Sequence, residues 1–121
     1  MKRDLDLIRH ILLSMEETDS NDMRVESFAN EQYDPKMISQ HIELLIDAGY
    51  ISAIKVTHMG SPYEEFIITR INMLGHDYLD NVRDPKVWRE TKTKIGQLGY
   101  SVTLDMVKMV ASKVIMTTLG M

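Results

Sequence analysis

The side chains in this 121-residue chain with the clearest capacity for chemistry are cations able to meet phosphate. In "RDPKVWRETKTK", Arg83, Lys86, Arg89, Lys92 and Lys94 outnumber Asp84 and Glu90. Neutralisation of phosphates by Lys and Arg supplies most of the affinity of generic nucleic-acid binding. Trp88, in the same segment, can either stack on a base or anchor the helix that carries it. A second group lies in "DPKMISQHIELLIDAGY", where Lys36 suits a phosphate or guanine and Gln40 suits adenine. Lys55 and His58, with Ser61, sit in or near a turn whose tip can reach a duplex backbone. The candidate nucleic-acid contacts are therefore Lys36, Gln40, Lys55, His58, Arg83, Lys86, Arg89 and Lys92.

Acids oppose each group. Glu43 and Asp47 share the exposed face predicted for Lys36 and Gln40, with Ser39 beside them, and Glu64 and Glu65 follow the turn that holds His58. Net charge is -4, against the basic balance common among nucleic-acid binders. Residues 1–60 carry -5 and residues 61–121 carry +1, so the basic character is concentrated late in the chain. A charge run on a helix is most often a solvated face, and a lone Trp is most often packing.

Other chemistry finds little support. His10, His41, His58 and His76 fall on different predicted elements, none at the helical spacing of a metal pair, and read as surface or partly packed side chains. The absence of cysteine removes disulfides, thiolate nucleophiles and cysteine-based zinc sites together. No nucleophile elbow, glycine-rich phosphate loop or dinucleotide fingerprint is present. No catalytic, metal or cofactor residue is assigned, and no enzyme activity is expected. No apolar run reaches the roughly 18 residues a bilayer span needs, so the expectation is a cytoplasmic protein without membrane partners.

The elements that must position these side chains follow from periodicity. Leu5, Ile8, Leu12 and Met15, widened by Ile11, predict an amphipathic helix over 4–17, ended by "ETDSND". "MRVESFA" reads as a short strand or extended connector. Asp34 before Pro35 predicts a capped helix with Ile38, Ile42 and Leu45 inward, closed by Gly49. "YISAIKVT" and "YEEFIITRI" flank "HMGSP" and predict a β-hairpin. Asn72 is the expected cap of a helix whose apolar positions are Met73, Leu74, Tyr78, Leu79 and Val82. Asp84 and Pro85 open another through about Leu98, broken by "GYS". A last helix from about Thr103 to Leu119 carries Leu104, Val107, Val110, Ala111, Val114 and Ile115 on its apolar side. Met106, Met109 and Met116 broaden its apolar side, either for packing on the domain or for a homodimer contact.

Helix, short strand, helix, β-hairpin and helix form a winged-helix-like order, and Ile71, Asn72 and Gly75 match the "L-T-x-x-G" stretch of many winged-helix regulators, with Asn replacing Thr. The chain also resembles an uncharacterised bacterial and phage family, domain of unknown function 2513. The likeness is carried by "MKRDLDLIRHILLSME", "ISQHIELLIDAGYI", "GHDYLDNVRDPKVWRETK" and "GYSVTLDMVKMVAS", and it spans nearly the full length. It implies a winged-helix-like fold and occurrence in bacterial and prophage genomes, and brings no activity or site residue with it. One departure is that "RVESFANEQY" occupies the place of the helix that normally supports a recognition helix, without a helical period.

The expectation is thus an α+β fold: a winged-helix-like domain over 1–83 with additional C-terminal helices over 84–121, packed on the same domain or at a dimer interface. Two functions stay open. One is a small non-enzymatic bacterial or prophage regulator contacting double-stranded DNA. The other is a protein-interaction module on the same scaffold that does not bind DNA.

Overall fold

Asp4, Asp34, Asp84 and Thr103 each turn a side-chain oxygen onto a backbone N–H in the turn ahead, and a helix starts behind each of them. In the computed structural model, which describes residues 2–18, 21–99 and 101–120, the order is α1 (Leu5–Glu17), β1 (Met23–Arg24), a single 3-10 turn (Val25–Phe28), α2 (Pro35–Asp47), β2 (Ile51–Lys55), β3 (Phe66–Ile71), α3 (Met73–Val82), α4 (Pro85–Gly96) and α5 (Leu104–Thr118). The described residues thus form an α+β fold with five α-helices and one antiparallel sheet of strand order β1-β3-β2. This order is compatible with a winged helix. Met1–His76 and Asp77–Met121 are separate compact units, and the division falls within α3.

In the first unit, α1 buries Leu7, Ile8, Ile11, Leu12 and Met15, while α2 buries Ile38, Ile42 and Leu45. The sheet adds Met23, Ile51, Phe66, Ile68 and Ile71 to this core. Strand side chains alternate between faces, so Phe66 and Ile68 point the same way and position 70 should join them. Arg70 stands there, yet Ile71 is the buried residue. A bulge explains the switch: Ser52 pairs with Arg70 and Ala53 with Ile68, leaving Thr69 without an opposite residue. The Thr69 hydroxyl donates to the Ser52 carbonyl at 3.0 Å and occupies an acceptor inside the irregularity.

The expected short strand is present, and other expectations change. "MRVESFA" is a two-residue strand followed by the 3-10 turn, so the place of the supporting helix holds one turn anchored by buried Val25 and Phe28. Asn72 directs its side chain elsewhere than a cap: its amide donates to the Gly49 carbonyl at 3.3 Å and its oxygen accepts from the Ser52 hydroxyl at 3.1 Å. The Asn72 main-chain carbonyl instead receives the His76 N–H at 3.0 Å. Met73 and Leu74 are exposed rather than packed, since only the later turns of α3 bury Tyr78, Leu79 and Val82. α4 stops at Gly96, two residues before Leu98. Asp19 and Ser20 of the first expected break and Tyr100 of the second lie outside the described residues.

Gly75 has a specific reason to be glycine. A Cβ there would overlap the Tyr50 carbonyl oxygen and approach Ile71 Cγ2 to 2.7 Å. The start of α3 therefore lies directly against the backbone that links α2 to β2, an approach open only to a residue without a side chain.

In the second unit, Val87, Trp88 and Thr91 of α4 are buried, as are Val107, Ala111 and Val114 of α5, and the two helices pack together. The Thr91 hydroxyl is satisfied within its own helix by the Val87 carbonyl at 2.7 Å. Leu104, Val110 and Ile115 are half-buried, whereas Met106, Met109 and Met116 are exposed.

Candidate nucleic-acid interface

The eight candidate contacts divide four and four between the two units. Lys36 and Gln40 lie on α2, and Lys55 and His58 on the hairpin. Arg83 precedes α4, which carries Lys86, Arg89 and Lys92.

On α2 the inward stripe is as expected, with Ile38, Ile42 and Leu45 fully buried. The opposite face presents Lys36, Glu43 and Asp47 to solvent, with Gln40 half-buried. Ser39 does not join that face. It is buried, and its hydroxyl donates to the Glu64 carbonyl at 2.6 Å. The side chain that seemed available to a ligand instead fastens α2 to the base of the hairpin.

The hairpin loop is held at several points, and both Lys55 and His58 lie against its own carboxylates. Val56 continues the β2–β3 ladder by donating to the Glu65 carbonyl at 2.9 Å, which sets Glu64 and Glu65 diagonally across from Lys55 and His58. Diagonal neighbours in an antiparallel pair lie within reach of long side chains. Lys55 Nζ is 3.7 Å from a Glu64 carboxylate oxygen, and His58 Nε2 is 3.1 Å from Glu65. Thr57 donates to the Glu64 carboxylate and accepts the Glu65 N–H at 2.9 Å. Tyr63, just before this pair, donates its phenol proton to the Glu26 carboxylate of the 3-10 turn. That bond pushes the Tyr63 pKa up to about 12, with smaller contributions from burial and the Glu26 and Glu65 charges.

On α4, Lys86, Arg89 and Lys92 are all exposed. Trp88 is 4% exposed, so it anchors the helix and offers no platform to a base. Lys92 Nζ lies 5.8 Å from the Trp88 ring centroid, within cation–π range. Arg83 is bound to Asp80 at 2.7 Å, and Lys94 faces Glu90 at 4.0 Å. Lys86 and Arg89 remain as exposed cations with no ion pair among the described residues.

The fully buried His41 escaped the sequence reading, which placed the histidines at the surface or partly packed. Its Nδ1 lies 2.9 Å from the Met37 carbonyl, which can only accept, and its Nε2 lies 2.8 Å from the backbone nitrogen of Asp4, which can only donate. The ring is thus neutral with its proton on Nδ1. His10 is also engaged, 3.2 Å from the Phe28 carbonyl and stacked on Tyr33 with centroids 6.0 Å apart. Burial, then the charges of Asp4 and Asp6, raise the Tyr33 pKa. Among the described residues no group of three or more His, Cys, Asp or Glu is placed to hold a metal ion, and no helix is long and apolar enough to cross a membrane.

Comparison with known proteins accords with the resemblance seen in the sequence. The family model described as "Hypothetical protein (DUF2513)" matches residues 2–101. An "Uncharacterized protein" of Haemophilus influenzae (strain ATCC 51907 / DSM 11121 / KW20 / Rd) is 35% identical over 118 residues, covering 95% of this chain and 96% of that protein. No solved structure matches the chain significantly. The chain belongs to the DUF2513 family.

Proposed function

We propose that this DUF2513 member is a small non-enzymatic regulatory protein whose winged-helix-like unit docks on a basic protein surface instead of reading DNA. The observation that carries this reading is the pairing of Lys55 and of the His58 ring with the wing's own Glu64 and Glu65. A duplex contact would have to displace those carboxylates before any phosphate could be neutralised. The exposed face of α2 supports the same reading, with Glu43 and Asp47 against the single cation Lys36. Residues 1–76 carry seven Lys or Arg and thirteen Asp or Glu, a charge of -6 that attracts basic partners and repels a polyanion.

A second reading, contact with duplex DNA through α4, is favoured by exposed Lys86 and Arg89 in a unit that carries seven Lys or Arg against five Asp or Glu. Fluorescence anisotropy of the full chain with a mixed-sequence duplex, at low and moderate salt, separates the two. The expected result is weak binding at most, unchanged in K36E/K55E, while a lysine-rich peptide binds and is weakened by E43K/D47K. Tight, steeply salt-dependent DNA binding that K36E/K55E abolishes would overturn the proposal. Loss only in K86E/R89E would favour the second reading.

A further inference from the structure

We propose that α5 is a self-association surface on which α5 of a second copy docks antiparallel. Val107, Ala111 and Val114 face the interior of the second unit, and the opposite side of the helix is centred on Met109, 59% exposed. At 100° per residue Met116 falls about 20° to one side of Met109 and Met106 about 60° to the other, so the three exposed methionines form one stripe. Methionine is flexible and polarizable, and suits contacts between surfaces that must adapt to each other. A groove of about 420 Å³ runs beside the stripe, lined in part by Asn81, Asp105, Met109, Lys113 and Met116.

Charge selects the occupant and its direction. Asp105 and Lys113 flank Met109 about 40° to either side, Asp105 one turn before it and Lys113 one turn after. Both are exposed, and neither makes an ion pair among the described residues. A parallel copy would set Asp105 against Asp105 and Lys113 against Lys113. An antiparallel copy brings each Asp105 toward the partner's Lys113, with methionines between, and satisfies the self-complementarity that a two-fold interface demands. It also opposes the two helix dipoles. The 15-residue helix is about 22 Å long, so the contact lies at the small end of specific interfaces and its dimer is expected to be reversible and concentration-dependent.

Sedimentation equilibrium of the full chain over a wide concentration range tests this. A monomer–dimer equilibrium is expected, abolished by M109E. D105K and K113D should each raise the dissociation constant roughly fivefold or more, and D105K/K113D should return it close to the starting value. Both charges are solvent-exposed, and unchanged far-ultraviolet circular dichroism would confirm that each variant is folded. A chain that stays monomeric at the highest concentration overturns the proposal. So does a dimer indifferent to the single reversals, as a parallel pair or another surface would give, or one that the double exchange fails to restore.

Discussion

The imidazole Nε2 of His41 accepts the backbone N–H of Asp4 at 2.8 Å, joining the middle of α2 to the capping residue of α1 across 37 residues of sequence. Because Nδ1 is committed as a donor to Met37, only the neutral Nδ1–H tautomer satisfies both partners. Long-range proton–nitrogen correlation spectra should show Nδ1 as the protonated ring nitrogen. A protonated Nε2 would contradict the geometry. His41→Ala should cost about 2–4 kcal/mol in denaturant unfolding, since it opens a cavity and leaves the Asp4 donor unsatisfied.

Gly75→Ala should behave against helix propensity. Alanine ordinarily stabilises a helix interior by about 1 kcal/mol over glycine. Here the added methyl collides with backbone, where the neighbour cannot rotate away, so a loss of about 1–3 kcal/mol is expected instead. Chemical denaturation of the two proteins decides the sign.

Tyr63 should ionise late. Its folded pKa of about 12 lies above the ordinary value of 10.0, so the protonated phenol is the form that folding favours. The associated stability is fully present below the unfolded value and disappears as pH rises from 10.0 through about 12. Ultraviolet phenolate titration should show a high-pH transition that vanishes in Tyr63→Phe and moves down in Glu26→Gln. A Glu26→Gln titration that matches the parent would show that the hydrogen bond is not its cause.

Removal of the α4 cap gives a simpler result. The Asp84 carboxylate accepts from the Lys86 and Val87 N–H groups at 2.8 and 3.0 Å. Asp84→Ala should lower stability by about 1 kcal/mol, while Asp84→Asn should lose less because its side-chain oxygen can still accept. Thermal unfolding monitored by circular dichroism measures both.

The caps were legible because they are local. An acid or hydroxyl one position before a helix does the same work wherever the chain later packs, and Asp34-Pro35 and Asp84-Pro85 announced their helices from adjacent residues. The hairpin was legible for a similar reason, as two β-branched runs around a Gly and a Pro. The fate of the candidate site was not local. Lys55 and His58 read as available contacts until the strand register placed Glu64 and Glu65 diagonally across from them. Ser39 read as exposed because its acceptor, the Glu64 carbonyl, is 25 residues away. His41 did leave a signal: it lies three residues after Ile38 on the stripe shared with Ile42 and Leu45, where a core side chain is due. What concealed it was the reading of all four histidines as surface or partly packed side chains.

The bulge at Thr69 has a consequence for tolerance to change in chain length. Up to Ile68, even-numbered positions of β3 belong to the interior, and after it the assignment is inverted so that Ile71 is inside. One surplus residue therefore resets the parity of the strand just before it delivers Asn72 to Gly49 and Gly75 to Tyr50. Deleting Thr69 would restore plain alternation through Phe66, Ile68 and Ile71 and leave Arg70 opposite Ser52 and Ile68 opposite Ala53, so inside and outside would be kept. Replacing it would cost little more than one hydroxyl contact. The strand can thus lose this extra residue without reversing its faces, whereas a slip of one residue at a regularly paired position would turn every later side chain to the other face.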